Sequence, residues 1–220
     1  MPDTDTGADG PTAERGTDGI ETGDSDEPAR SHANDGPVGE SVPLDDLLLP
    51  NVGVGPDPFD FVRAAGDHDW LVVLLQRDNH CTNCRKQVRR VRDAYDEFRE
   101  RDAEVVSIVP EPEGKVAEWV EEYDPPFPLL ADPDTVAGER FDQPVRFGVL
   151  GSLSDFLGRM PLALVVDCRG DGPRLAYAHA GTSTWDRPTV EELLDVIDAG
   201  GADANGTAHA GADETGADGD

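Results

Sequence analysis

The chain has 220 residues, and its 47 acidic against 18 basic side chains give a formal charge of −29. A surface this acidic repels phosphate backbones and anionic lipid, which excludes nucleic acid and membrane surfaces as partners. No apolar run approaches the roughly 20 residues of a membrane span and no basic-then-apolar leader opens the chain. Three cysteines are too few for a disulfide scaffold, so a cytoplasmic location with a working thiol pair is expected. Two lysines against sixteen arginines, with abundant Asp, match the halophilic composition of proteins that work in molar salt. There the Debye length falls to about 3 Å and self-repulsion is screened.

Acid fills both ends. Residues 1–36 carry ten acids, two arginines and almost no large apolar side chain, so they cannot offset the entropy of ordering and are expected to form a disordered tail. Residues 199–220, with five acids and no base, are expected to form a second one. Residues 37–198 have the length and apolar content of one domain with a full core.

Within that domain, Val38 to Leu44 reads as a short strand or turn and Asp45 to Pro50 as an apolar segment. Phe59, Phe61 and Val62 open a short element that closes near Gly66. Leu71 to Leu75 is an unbroken β-rich apolar run, the pattern of a strand buried on both faces. A polar link carries Cys81-Thr82-Asn83-Cys84, and the helix after it places Val88, Val91, Tyr95 and Phe98 on one stripe. Ala103 to Val109 is a second buried strand, stopped by Pro110 and Pro112, and Glu113 to Tyr123 is a helix. Pro125, Pro126 and Pro128 force extended chain into Leu129-Leu130, ahead of a short helix from Thr135 to Phe141. Leu162 to Val166 and Leu175 to Ala180 form an antiparallel pair across the Arg169-Gly170-Asp171-Gly172 turn. The last helix opens on a Thr189–Glu192 capping box and runs to about Ala199. This order predicts an α/β, thioredoxin-like fold: a mixed central sheet, helices on both faces, and extra elements inserted in the middle.

A strand, then a CxxC, then a helix is the layout of a redox site. Two cysteines three apart can pair once the second lies in the first helical turn, and the unpaired N–H groups there favour a thiolate at Cys81. Cys84 shares the line of Val88 and Val91 and is expected to face inward, with Cys81 at the exposed tip as nucleophile and Cys84 as the partner that resolves a mixed disulfide. Three other readings of the pair stay open, inert structural thiols, a non-enzymatic redox-sensing module and a metal or cluster site, although zinc would need a second ligand pair and only Cys168 and five scattered histidines remain. His80 precedes Cys81 and is a candidate for proton transfer. Seven of the eighteen bases lie between Arg85 and Arg101; pairs four apart such as Arg89 with Asp93 and Arg92 with Asp96 account for some. Arg85, Lys86 and Arg90 have no such acid, and suit a nearby thiolate or an acidic partner. Cys168 lies seven residues beyond Pro161 on a strand, on the order of 20 Å away, outside disulfide reach.

From Val38 to Ile197 the chain resembles the peroxiredoxin-like (AhpC/TSA, redoxin) branch of the thioredoxin superfamily. The resemblance rests on Val38-Gly39-Glu40-Ser41-Val42-Pro43, LVVLLQRDNHCTNCRKQV, FPLLADPD, Phe147-Gly148-Val149-Leu150, and Arg159-Met160-Pro161 ahead of LALVVD. It implies that Cys81 attacks and Cys84 resolves, that Pro161 is the cis-proline opposite the CxxC, and that Arg159 stands near the family's second arginine. It also implies a disulfide or hydroperoxide substrate, a cellular dithiol reductant, and neither metal nor other cofactor. The chain departs from the family where a proline seven residues and a Thr or Ser three residues before the attacking cysteine are usual. Those positions hold Leu74 and Asp78 counted from Cys81, or Arg77 and Cys81 counted from Cys84. Dithiol–disulfide exchange is therefore expected ahead of efficient peroxide reduction.

Overall fold

The computed structural model describes residues 38–145 and 158–208, with side chains as far as 200. The expected tail over 1–36, the end of the second tail and the landmark Phe147-Gly148-Val149-Leu150 lie outside those residues, in whole or nearly so.

The apolar run at the centre of the chain becomes the central strand. β3 (Trp70–Leu75) is buried along its whole length. It pairs in parallel with β4 (Ala103–Val109) and antiparallel with β6 (Leu162–Asp167). The short β5 (Leu129–Ala131) extends the sheet beyond β4, and β7 (Arg174–Ala180) beyond β6, giving the order β5-β4-β3-β6-β7. A separate two-stranded ribbon, β1 (Leu48–Leu49) with β2 (Phe59–Asp60), leads into α1 (Phe61–Asp67).

Side chains on a strand alternate, so β3 feeds two cores. Trp70, Val72 and Leu74 pack with α2 (Thr82–Asp93), α3 (Tyr95–Arg99), α4 (Glu113–Tyr123) and α6 (Val190–Ala208) through Val88, Val91, Phe98, Trp119 and Leu193. Leu71, Val73 and Leu75 pack on the other face with α1 and α5 (Val136–Arg140) through Phe61, Ala64 and Ala137. This two-sided burial is why β3 is continuously apolar rather than alternating. Each such side chain contributes about 1.5–3 kcal/mol by leaving water.

Three local expectations are corrected. The helix after the CxxC is not continuous to Phe98: it ends at Asp93, Ala94 adopts φ −114° and ψ 12°, and α3 restarts at Tyr95. The break re-aims Tyr95, whose hydroxyl donates to Glu104 Oε1 at 2.8 Å. It also takes Asp96 off the face of Arg92, which pairs instead with Asp93, while Arg101 reaches Asp198 on α6. Finally, α6 does not stop near Ala199. Gly200 is there for close approach: a Cβ on it would lie 2.5 Å from the Trp70 indole, and its carbonyl accepts a hydrogen bond from Arg169. At the other end of α6 the capping box forms as read, with the Thr189 N–H donating to Glu192 Oε2 at 2.7 Å and the Glu192 N–H to Thr189 Oγ1 at 3.2 Å.

Candidate active site

β3 ends at Leu75, paired with Leu162 at the start of β6, and the chain leaves this end of the sheet as a tightly held loop. The Gln76 N–H donates to Ile108 O, and Gln143 Nε2 bridges the carbonyls of Gln76 and Met160. Asp78 accepts from the His80 N–H at 2.8 Å and pairs with Arg77. Arg85 reaches back from α2 to the Asn79 carbonyl with two N–H groups, at 2.9 and 2.6 Å. The loop therefore delivers Cys81 to α2 as its N-cap, where the sulfur accepts from the Cys84 N–H at 3.2 Å.

Cys81 and Cys84 are joined in a disulfide across the first helical turn, with their Cα atoms 5.2 Å apart. Cys84 is fully buried, on the stripe of Val88 and Val91. Cys81 is not at an exposed tip: it keeps only 8 % of its surface. The reason is a second layer of chain that periodicity in the helix does not reveal. The segment after β7 folds over the disulfide, and Arg187 Nη2 lies 2.9 Å from Cys84 Sγ and 3.7 Å from Cys81 Sγ.

Arg187 is the residue that sequence reasoning missed. Its Nη1 donates to Gln87 Oε1 at 2.7 Å and Gln76 Oε1 at 3.1 Å, and Gln76 Nε2 in turn donates to Ser107 Oγ at 3.0 Å. Burial lowers its pKa to about 10, with the nearby charge of Arg77 acting in the same direction, and it remains a cation at neutral pH. The carrying segment is braced by Asp186, which holds buried His179 at 2.9 Å and accepts two hydrogen bonds from Thr182. Asn83, between the cysteines, donates to the Thr184 carbonyl at 3.1 Å and so ties α2 to this segment. A guanidinium against sulfur stabilises the thiolate that forms when the disulfide opens.

The other expected site residues fall differently. Pro161 sits at this sheet end, its carbonyl accepting from the Gly181 N–H. Its peptide bond is not cis, and among the described residues only Asp57–Pro58 is. A trans proline suffices just ahead of β6, where no ladder donor is required. His80 is on the surface. Arg159 is 6 % exposed and turns away, its guanidinium packed on Gly138 of α5 and its charge felt by Asp132. Cys168 follows β6 at the opposite sheet end, bonded through its N–H to Asp69 O. Among the described residues, no three His, Cys, Asp or Glu side chains gather as a metal site.

A five-stranded mixed sheet between helices, with a disulfide across the first turn of the helix after the central strand, defines a thioredoxin-fold protein with thiol-based redox function. Residues 57–166 match the AhpC/TSA family, and the chain belongs to that family of thiol-dependent oxidoreductases. A comparison with curated proteins returned no match. Among solved structures, the peroxidoxin BcpB of Mycobacterium tuberculosis is 23 % identical with a TM-score of 0.60, over 74 % of this chain and 96 % of that one. Peroxiredoxin 6 of Arenicola marina, as a cysteine-to-serine variant, is 16 % identical with a TM-score of 0.63, over 76 % and 74 %. A cysteine variant of peroxiredoxin Q from Xanthomonas campestris is 17 % identical with a TM-score of 0.57, over 73 % and 93 %. These three share the fold.

Proposed function

We propose that the protein reduces disulfides by cycling Cys81 and Cys84 between dithiol and disulfide. The Cys81 thiolate attacks one sulfur of a substrate disulfide, the other substrate sulfur leaves and takes a proton, and a mixed disulfide remains on Cys81. Cys84, as thiolate, then attacks Cys81 Sγ and expels the second substrate thiol. Two electrons pass to the substrate, and a cellular thiol reductant resets the pair. The observation that carries this reading is the position of Arg187, in contact with both sulfurs and balanced by no carboxylate within ion-pair distance among the described residues. Pro161 supports the site indirectly, by holding Gly181 at the start of the segment that carries Arg187. The −29 charge and the use of a cysteine pair for exchange support a cytoplasmic setting at high salt.

Family membership also favours a second reading, reduction of hydroperoxides, in which the Cys81 thiolate attacks the terminal peroxide oxygen, the O–O bond breaks, the remainder leaves and is protonated to an alcohol, and Cys84 condenses with the resulting sulfenic acid, releasing water. Against it stands Asp78, a buried carboxylate engaged with Arg77 and His80, in the place where the family keeps a hydroxyl.

One variant tests both. Reduced Cys84→Ser, mixed with a protein disulfide, is expected to accumulate a covalent adduct at Cys81 that dithiothreitol releases. The absence of an adduct contradicts the exchange cycle. With hydrogen peroxide in place of the disulfide, oxidation no faster than that of a free thiol removes the second reading.

A further inference from the structure

Beside the disulfide, α2 and the start of α6 diverge around an open cleft of about 670 Å³, whose walls include Asn83, Lys86, Gln87, Arg90, Trp185 and Arg187. Its cations have no carboxylate partners: among the described residues Lys86 and Arg90 form no ion pair, and Arg187 is committed to amide oxygens and sulfur. Two acids also line the cleft, and neither forms an ion pair with these cations: Asp93 is held by Arg92, and Glu191 lies exposed on the first turn of α6. Trp185 is 75 % exposed, an unusual state for an indole, and Lys86 Nζ stands 6.0 Å from its ring centre. Arg187 lines the cleft and touches Cys84 Sγ at 2.9 Å, so it links the cleft to the disulfide, whose cysteines are not themselves among its walls.

We propose that this cleft binds a low-molecular-mass thiol bearing carboxylates, which reduces the Cys81–Cys84 disulfide. The inference rests on the exchange cycle above and names its reductant. The volume falls in the range of about 300–1,000 Å³ that suits a small ligand rather than a protein surface. The carboxylates lie against Lys86 and Arg90, the carbon chain against the Trp185 indole, and the sulfur at the Arg187 end. The thiolate attacks Cys81 Sγ, the Cys81–Cys84 bond breaks, and Cys84 leaves as a thiolate beside Arg187. A second thiolate attacks the ligand sulfur of the mixed disulfide and frees Cys81. Two thiols become one disulfide, and the two electrons reduce the protein pair. Distant acids do not prevent binding, because at 0.1 M salt the Debye length is about 10 Å while Lys86 and Arg90 act at contact.

The test compares glutathione with its diester, a ligand of nearly the same size whose carboxylates are masked. The readout is the second-order rate of reduction of the oxidised protein, expressed per thiolate at about 0.1 M salt. Glutathione is expected to be faster by about tenfold, although the field of the whole chain alone favours the cationic diester. In Lys86→Gln/Arg90→Gln the ratio is expected to fall below about two, because both cations that supply the local field are gone. In Lys115→Gln, which removes a cation on α4 outside the cleft, the ratio stays at the wild-type value. Equal rates in the wild type, or an unchanged ratio in the double variant, overturn the proposal. Dithiothreitol separates the two levels: if it reduces the wild-type disulfide while the glutathione preference is missing, only the cleft reading falls. If it does not, the exchange cycle falls too.

Discussion

The two ends of β6 give a cysteine beside an arginine opposite surroundings, with the buried Cys81–Cys84 pair at one end and half-buried Cys168 at the other. At the Leu162 end, Arg187 has no carboxylate within ion-pair distance among the described residues and gives N–H groups to amide oxygens and to the sulfurs of Cys84 and Cys81. At the Asp167 end, Arg169 grips Asp167 with two N–H groups at 2.9 and 2.6 Å, gives a third to the Gly200 carbonyl and stacks 4.3 Å from the Trp70 ring centre. Burial first, and then the Asp167 charge, push the Cys168 thiol up to about 12. Burial raises a thiol's pKa, and a neighbouring charge adds to that shift when it is negative and offsets it when it is positive.

The comparison breaks most sharply at Arg187. Arg187→Gln keeps hydrogen-bonding capacity but removes the charge, and is expected to slow disulfide exchange by roughly tenfold at pH 7, one pKa unit of thiolate stabilisation. Stopped-flow rates across pH check this. The variant curve should shift to higher pH and meet the wild-type curve once both thiols are ionised, whereas a loss constant across pH would mean damaged packing instead. A smaller effect is expected at the other end. Asp167→Asn removes an anion that raises the Cys168 pKa, so alkylation of Cys168 should begin at lower pH, by a modest margin because burial, the larger cause, remains. Alkylation followed by peptide mass analysis reads that shift.

Much of the scaffold was legible because burial leaves a one-dimensional trace. Leu71 to Leu75, Ala103 to Val109 and Leu162 to Val166 are apolar on both faces and became the three central strands. Glu113 to Tyr123 and the Thr189–Glu192 box are local patterns and needed no tertiary information. The inward position of Cys84 followed from the same stripe that buries Val88 and Val91. What escaped depends on contacts across the chain. Arg187 is 106 residues from Cys81, in a loop whose composition says nothing of the sulfur beneath it. The coverage of Cys81 is the same omission seen from the other side. Arg159 was placed by its neighbourhood in sequence, yet an arginine on a bridging segment can turn to either face of the sheet, and this one turns to α5. Gly200 looked like a stop because glycine ends helices; here it makes room for Trp70.

The most direct test follows all three cysteines of the reduced protein at once, measuring the alkylation rate of each from pH 5 to 11 by peptide mass analysis. A lowered thiol pKa puts thiolate at neutral pH, and a raised one keeps the thiol protonated until strongly alkaline pH. The account predicts that Cys81 is modified at pH 7, while Cys168 stays unmodified until the pH nears its value of about 12. Cys168 reacting at pH 7 as readily as Cys81 would contradict it.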